Sequence, residues 1–157
     1  MFLTGERIAG LLPGPVGGDQ VQPAGVDLRV ASVSRIVEPG MLGREGKRVP
    51  RGEEIPAENG VWRLAPGHYR IRFLDVVSVP VWAVGFCYPR SSLLRMGASL
   101  HCAVWDPGYT GRGEALLVVY NEHGIILEEG ARIAQIVYAR IEGETRPYRG
   151  DYQGEGL

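Results

Sequence analysis

Residues 85–121 read GFCYPRSSLLRMGASLHCAVWDPGYTGRGEALLVVYN. The stretch closes on a continuous apolar run, Ala115 to Tyr120, of strand length and of the composition expected of a strand buried on both faces. It also holds most of the chain's chemistry. Pro89 can open a helix, Ser91 or Ser92 can cap it, Leu93, Leu94 and Met96 give it an apolar side, and Gly97 can end it one to two turns later. The N-terminus of such a helix is a phosphate cradle in outline. Its free N–H groups and partial positive charge attract an anion, and Arg90 and Arg95 add fixed charge with forked donors that suit phosphate better than lysine. Beyond it a single acid, Asp106, stands in a Pro-Gly turn with an aromatic beside it.

Outward from this stretch the strand pattern continues. From His68, residues Tyr69, Ile71 and Phe73 face one way and Arg70 and Arg72 the other, as in a half-buried strand, and Val76 to Val84 extends the pattern with a break at Pro80. Downstream, Asn121 to Gly124 make a turn, and Ile125 to Leu127 and Arg132 to Ile141 supply the last strands. Gln135 is polar in the middle of an apolar strand, so it needs either a backbone partner or a ligand. Near the start, Thr4 can cap a short helix through Leu12, residues 13–25 form a turn-rich connector, and Asp27 to Val33 alternate in part as a strand. Residues 38–60 mix glycine, proline and alternating charge. Arg44, Lys47, Arg48 and Arg51 are interrupted there by Glu45, Glu53 and Glu54, which reads as a solvated excursion or hairpin. From Glu142 the chain is polar but carries Tyr148 and Tyr152, and aromatics in a polar tail point to a lid or docking segment.

Composition narrows the function. The 157 residues suit one domain with a real core, and 23 Gly and 11 Pro against 22% charged residues favour short strands and turns over long helices. A formal net charge of −1 gives no field for polymeric nucleic acid or an anionic membrane; a small phosphorylated ligand, met by a local cluster, fits better. No run approaches the roughly 18 apolar residues of a membrane span and no signal-like segment opens the chain, so a cytoplasmic protein is expected. Cys87 and Cys102 are too few for a disulfide framework and read as reduced, buried thiols. His68, His101 and His123 lack HxH or HExxH spacing, which argues against protein-held zinc; no Gly-Lys-Ser/Thr follows the turn glycines, so this is no P-loop; and no histidine supports Ser91 or Ser92 as a nucleophile.

Five segments taken together resemble a known superfamily. Val21-Gln22-Pro23-Ala24-Gly25-Val26-Asp27-Leu28, Arg90-Ser91-Ser92-Leu93, Asp106-Pro107-Gly108-Tyr109-Thr110-Gly111, Gly130-Ala131-Arg132-Ile133-Ala134-Gln135-Ile136-Val137 and Arg149-Gly150-Asp151-Tyr152-Gln153-Gly154 are similar, in order, to the five motifs of the dUTPase and dCTP deaminase superfamily. They span nearly the whole chain, and the archaeal-type trimeric dUTPase is the nearest pattern. The resemblance implies an all-β fold, a distorted jelly-roll β-barrel with one or two short helices, divided into a nucleotide-binding domain at 1–144 and a flexible tail at 145–157 that closes the site. It further implies a homotrimer with its sites at subunit interfaces. The Arg90-Ser91-Ser92 cradle and Gln135 would come from one subunit, the Asp106 and Tyr109 turn from another and the tail from the third.

The activity implied is hydrolysis of dUTP to dUMP and pyrophosphate, by Mg²⁺-assisted in-line attack of water at the α-phosphate. Arg90, Ser91, Ser92, Gln135 and Arg149 would hold phosphate, Asp106 would activate the water, and Tyr109 and Tyr152 would contact the nucleoside. Asp27, which without the family reads equally well as a solvated or turn-capping acid, would reach the Mg²⁺ through water. The chain departs from the hydrolase pattern in its tail, where Tyr152 lies three residues after Arg149 instead of five and Tyr152-Gln153-Gly154 is closer to the deaminase branch. Conversely, the glutamate that the family's deaminases carry on the strand after the third motif falls on Leu116 or Val118. A dCTP deaminase, a bifunctional deaminase-dUTPase and a non-catalytic nucleotide-binding barrel are therefore the alternatives.

Overall fold

The computed structural model describes residues 1–157 as short strands with two one-turn helices. In chain order the elements are α1 (Gly5–Ala9), β1 (Val21–Gln22), β2 (Gly25–Ile36), β3 (Met41–Leu42), β4 (Lys47–Arg48), β5 (Gly52–Glu54), β6 (Val61–Leu64), β7 (Gly67–Phe73) and β8 (Val77–Ser78). There follow β9 (Ala83–Pro89), α2 (Ser91–Arg95), β10 (Ala98–His101), β11 (Thr110–Gly111), β12 (Glu114–Val119), β13 (Ile125–Glu128) and β14 (Arg132–Arg140). The main sheet runs β10-β12-β7-β2-β14-β9, with β1 and β5 also on β2, and all its pairings are antiparallel. An isolated bridge between Gly85 of β9 and Trp105, just beyond β10, brings the two ends of that path together, so the sheet is nearly closed. This is the expected all-β barrel.

Side-chain alternation decides what faces inward. Tyr69, Ile71 and Phe73 of β7, Leu117 and Val119 of β12, and Ile136 and Tyr138 of β14 are buried together with Val26, Leu28 and Val30 of β2. Strand β2 is the pivot: Val26 to Arg29 pair with β14, Val30 to Ser34 with β7 and Ser34 to Ile36 with β5. Register shifts at Val30/Ser32 and at Arg132/Ala134 bend the strand between these partners.

Three local expectations change. Ala115 to Tyr120 is not covered on both faces: Leu116 is 37% exposed and Tyr120 65%, because the outer face of β12 has no second layer within the chain. The first helix stops at Ala9 instead of Leu12, since Leu11 and Leu12 donate to Ile8 and Ala9 three residues back and tighten the end into a turn. Finally, Arg90, in extended backbone, is the N-cap of α2, so that Ser91 and Ser92 are its first helical residues and exposed; of its apolar residues Leu93 is buried while Leu94 and Met96 are exposed. No helix is long and apolar enough to cross a membrane.

Candidate active site

The sequence-predicted residues gather in two places. In the first, Asp27 on β2 lies opposite Gln135 on β14, and Gln135 in turn lies opposite Tyr88 on β9, one strand step before the turn into α2. Gly25 makes this pairing possible: a Cβ there would stand 2.5 Å from the Ile136 carbonyl and 2.7 Å from Cγ of Gln135. The Asp27 side chain is 1% exposed, and its Oδ2 accepts Arg90 Nε at 3.0 Å and the Gln22 amide at 3.2 Å, with Arg132 Nη1 at 3.5 Å. Its Oδ1 is buried without a hydrogen-bond partner. Burial pushes the Asp27 carboxyl above the usual carboxylate range, while Arg90, Arg132 and the Gln135 amide pull against that shift. Buried Gln20 fixes the backbone here, donating to the Asp27 carbonyl at 2.9 Å and to Asp75, which also holds Arg29.

Arg90 is held from a second side, since its Nη1 donates to the Arg132 carbonyl at 3.3 Å and its backbone N–H to Ile133 at 3.0 Å. With Ser91 and Ser92 on the exposed first turn of α2, the group Arg90, Ser91, Ser92, Gln135 and Asp27 forms one cradle. Sequence reasoning missed Arg132 as a member. The only signal was its place in the fourth motif, three residues before Gln135.

The second place is a cleft of about 260 Å³ whose lining includes Trp105, Asp106, Tyr109, Glu114, Tyr148 and Tyr152. Asp106 is exposed at its edge, and its carbonyl closes the turn onto the Tyr109 N–H at 3.1 Å. Tyr109 stacks edge-on with Trp105 and with Tyr148, at centroid distances of 5.3 and 5.9 Å. Its hydroxyl donates to Glu155 at 2.8 Å, and burial with this carboxylate beside it pushes the phenol far above its usual range. The Glu155 carboxyl is also raised, first by burial and further by Glu114, against the opposing effects of Tyr109 and Arg72.

The tail thus lies on its own chain's third motif. Tyr148 N–H donates to Pro107 at 2.7 Å, Gly154 N–H to Thr110 at 2.8 Å and Arg112 N–H to Glu155 at 2.8 Å, while the Gln153 side chain bridges Gly108 and Thr110. Gly108 has φ +80°, and a Cβ on it would come within 2.8 Å of Pro147. The 38–60 excursion meets the tail as well. Lys47, on the β3–β4 hairpin, pairs with Asp151 at 2.9 Å and sits 4.5 Å over the Tyr152 ring. Arg149 is exposed on this side, beside Asp106 and Tyr148, and not with the cradle. The two thiols, Cys87 and Cys102, are free and adjacent: their mutual hydrogen bond and burial raise Cys87, and the same bond lowers Cys102.

The cradle and the cleft are at opposite ends of β9. Gly85 touches Trp105, whereas Pro89 leads into Arg90, four residues and about 13 Å along an extended strand. One chain therefore carries the two groups of residues apart from each other.

Fold and sequence together define the class, an all-β barrel carrying the five segments of the dUTPase and dCTP deaminase superfamily. The family model described as dCTP deaminase-like matches residues 3–141, and the chain belongs to that family. It is 57% identical, over the full length of both chains, to a probable deoxyuridine 5'-triphosphate nucleotidohydrolase of Aeropyrum pernix. It is 40% identical to the deoxyuridine 5'-triphosphate nucleotidohydrolase of Methanocaldococcus jannaschii, over 87% of this chain and 88% of that one. Among solved structures, the 2'-deoxycytidine 5'-triphosphate deaminase of Agrobacterium tumefaciens superposes with a TM-score of 0.67 at 21% identity, over 87% of this chain. This chain spans about half (47%) of that deaminase. The EIAV dUTPase superposes with a TM-score of 0.52 at 19% identity, covering 83% of this chain and 86% of that one. Both likenesses concern the fold.

Proposed function

We propose that this protein hydrolyses dUTP to dUMP and pyrophosphate as a cytoplasmic homotrimer, each site joining the cradle of one subunit to the Asp106 cleft of a neighbour. The observation that carries the choice between hydrolase and deaminase is strand β12. Glu114 to Val119 pair with β7 in unbroken register, so no bulge moves a carboxylate onto Leu116 or Val118. Glu114, two residues and roughly 6.6–6.8 Å behind Leu116, is instead engaged by Arg72 at 2.7 Å and Arg70 at 3.5 Å. Without a carboxylate at that place, water attacking a cytosine ring has no proton carrier. Asp106, by contrast, is exposed at an apolar cleft and free to take a proton from water.

In this reading Arg90, Ser91, Ser92 and Gln135 hold phosphate oxygens in place and stabilise the charge that develops on the leaving pyrophosphate. Asp106 orients the attacking water and takes its proton. Tyr109 walls the sugar side of the cleft, and Tyr148 and Tyr152 cover it, with Arg149 reaching a phosphate from the tail. The chain has no group of three or more His, Cys, Asp or Glu side chains able to hold a metal alone. The unpartnered Oδ1 of Asp27 fits a Mg²⁺ bound mainly by the triphosphate and water, with one of those waters donating to Asp27. When bound, such an ion would supply counter-charge to the triphosphate.

The test is incubation of the purified protein with dUTP or dCTP and Mg²⁺, followed by separation of products. dUMP and pyrophosphate from dUTP, with no ammonia from dCTP, are expected. Deamination of dCTP would restore the deaminase reading, and binding without turnover the non-catalytic one.

A further inference from the structure

The cradle holds a charge arrangement that phosphate binding alone does not explain. Two guanidinium groups, those of Arg90 and Arg132, converge on a single oxygen of one buried carboxylate, Asp27 Oδ2. Arg90 alone would satisfy that carboxylate. In that case, however, the ion pair would be neutral, and the one cation at the mouth of the cradle would be cancelled by the acid behind it. Arg132 brings the sum of the three groups to +1.

Arg90 is the closer of the two to Asp27, at 3.0 Å against 3.5 Å, but Arg132 is also held by a second acid. Its Nη1 donates to the Asp19 carbonyl and its Nε lies 3.6 Å from the Asp19 carboxylate, an exposed and so well-screened acid. Its backbone carbonyl accepts from Arg90 Nη1 while its guanidinium reaches Asp27, so Arg132 touches both members of the ion pair, just before the register shift of β14 between Arg132 and Ala134.

We propose that Arg132 is a positioning residue, the standing counter-ion of Asp27, which leaves the charge and free N–H groups of Arg90 available for the triphosphate. The inference rests on the phosphate-cradle reading above. It separates Arg132 from the groups that touch substrate, because Arg132 acts through Asp27.

The experiment measures binding of α,β-imido-dUTP to the intact protein by calorimetry in EDTA, so that no metal contributes and no turnover intervenes. Arg132→Gln should weaken binding about tenfold, as expected for one lost unit of charge beside a polyanion. Arg132→Lys, which keeps the charge, should stay within about threefold of wild type on the same electrostatic argument. The decisive variant is the pair Asp27→Asn with Arg132→Gln, which returns the sum to +1 and should recover binding; it also removes the buried acid, so it tests the idea even if Arg132→Gln alone folds poorly. Arg90→Gln should lose binding with no recovery on adding Asp27→Asn. If Arg132→Gln binds like wild type, or the paired variant binds no better than Arg132→Gln, the counter-ion role is wrong while the cradle stands. If Arg90→Gln binds like wild type, or the wild type binds the analogue neither in EDTA nor with Mg²⁺ added, the phosphate reading itself fails and this inference with it.

Discussion

At the scale of single residues, Asp106 and Asp27 show how environment divides two carboxylates. Asp106 is exposed at an aromatic cleft with no cation paired to it, while Asp27 is enclosed and held by two arginines. In the proposed mechanism the former exchanges a proton with water. Asp106→Asn should therefore keep α,β-imido-dUTP binding and lower kcat for dUTP by about 10²–10⁴-fold, the usual worth of a general base. A kcat within threefold of wild type would remove Asp106 from the role. Most of these residues were legible in the sequence because short ordered motifs carry them. What was not legible was the set of partners. Arg132 meets Asp19 and Asp27 across the fold, and Tyr109 meets Glu155, at sequence separations that no local pattern spans.

Among the elements, strand existence followed from alternation, and the departures arose where neighbours decide. The apolar run of β12 predicted burial on both faces, but a strand's composition cannot say whether a second layer comes from its own chain. Likewise, serine's capping preference pointed to Ser91 or Ser92, yet the strand turn at Pro89 puts Arg90 at the cap. The tail is the element with the clearest consequences. Glu155 makes that docking sensitive to pH, because burial raises its carboxyl above its ordinary 4.5 against the lowering pull of the Tyr109 hydrogen bond. A carboxyl with a raised docked pKa binds its proton more tightly when docked. Docking is therefore favoured at acid pH, and that contribution is lost as pH rises from about 4.5 through the raised value. Hydrogen exchange of residues 148–157, corrected for intrinsic rates, should quicken over that window, and Glu155→Gln should flatten the response. A flat wild-type profile would mean Glu155 does not govern docking. Truncation after Glu144 should leave the proposed trimer intact, because the tail adds no strand to the barrel, but uncover Tyr109 and cost roughly 10²-fold in kcat/KM, the scale of lost positioning contacts. Loss of the oligomer on gel filtration would instead make the tail structural.

On the scale of the whole molecule, the separation of cradle from cleft along β9 has one sharp consequence. If the site joined both halves of one chain, two inactive variants broken in different halves could not help each other. If the site is shared between neighbours, they can. Arg90→Gln leaves the Asp106 cleft whole, and Asp106→Asn leaves the cradle whole. In trimers reassembled at random from equal amounts of the two, a site works when its cradle comes from an Asp106→Asn subunit and its cleft from an Arg90→Gln neighbour. Each has an even chance, so about a quarter of the wild-type dUTP turnover should return in a symmetric ring. The control is either variant denatured and refolded alone, which should stay inactive. Recovery near zero, with mixed trimers confirmed by mass, would mean that each chain closes its site by itself. The 13 Å or so from Gly85 to Pro89 along β9 would then have to be spanned by movement within the chain and not by a neighbour.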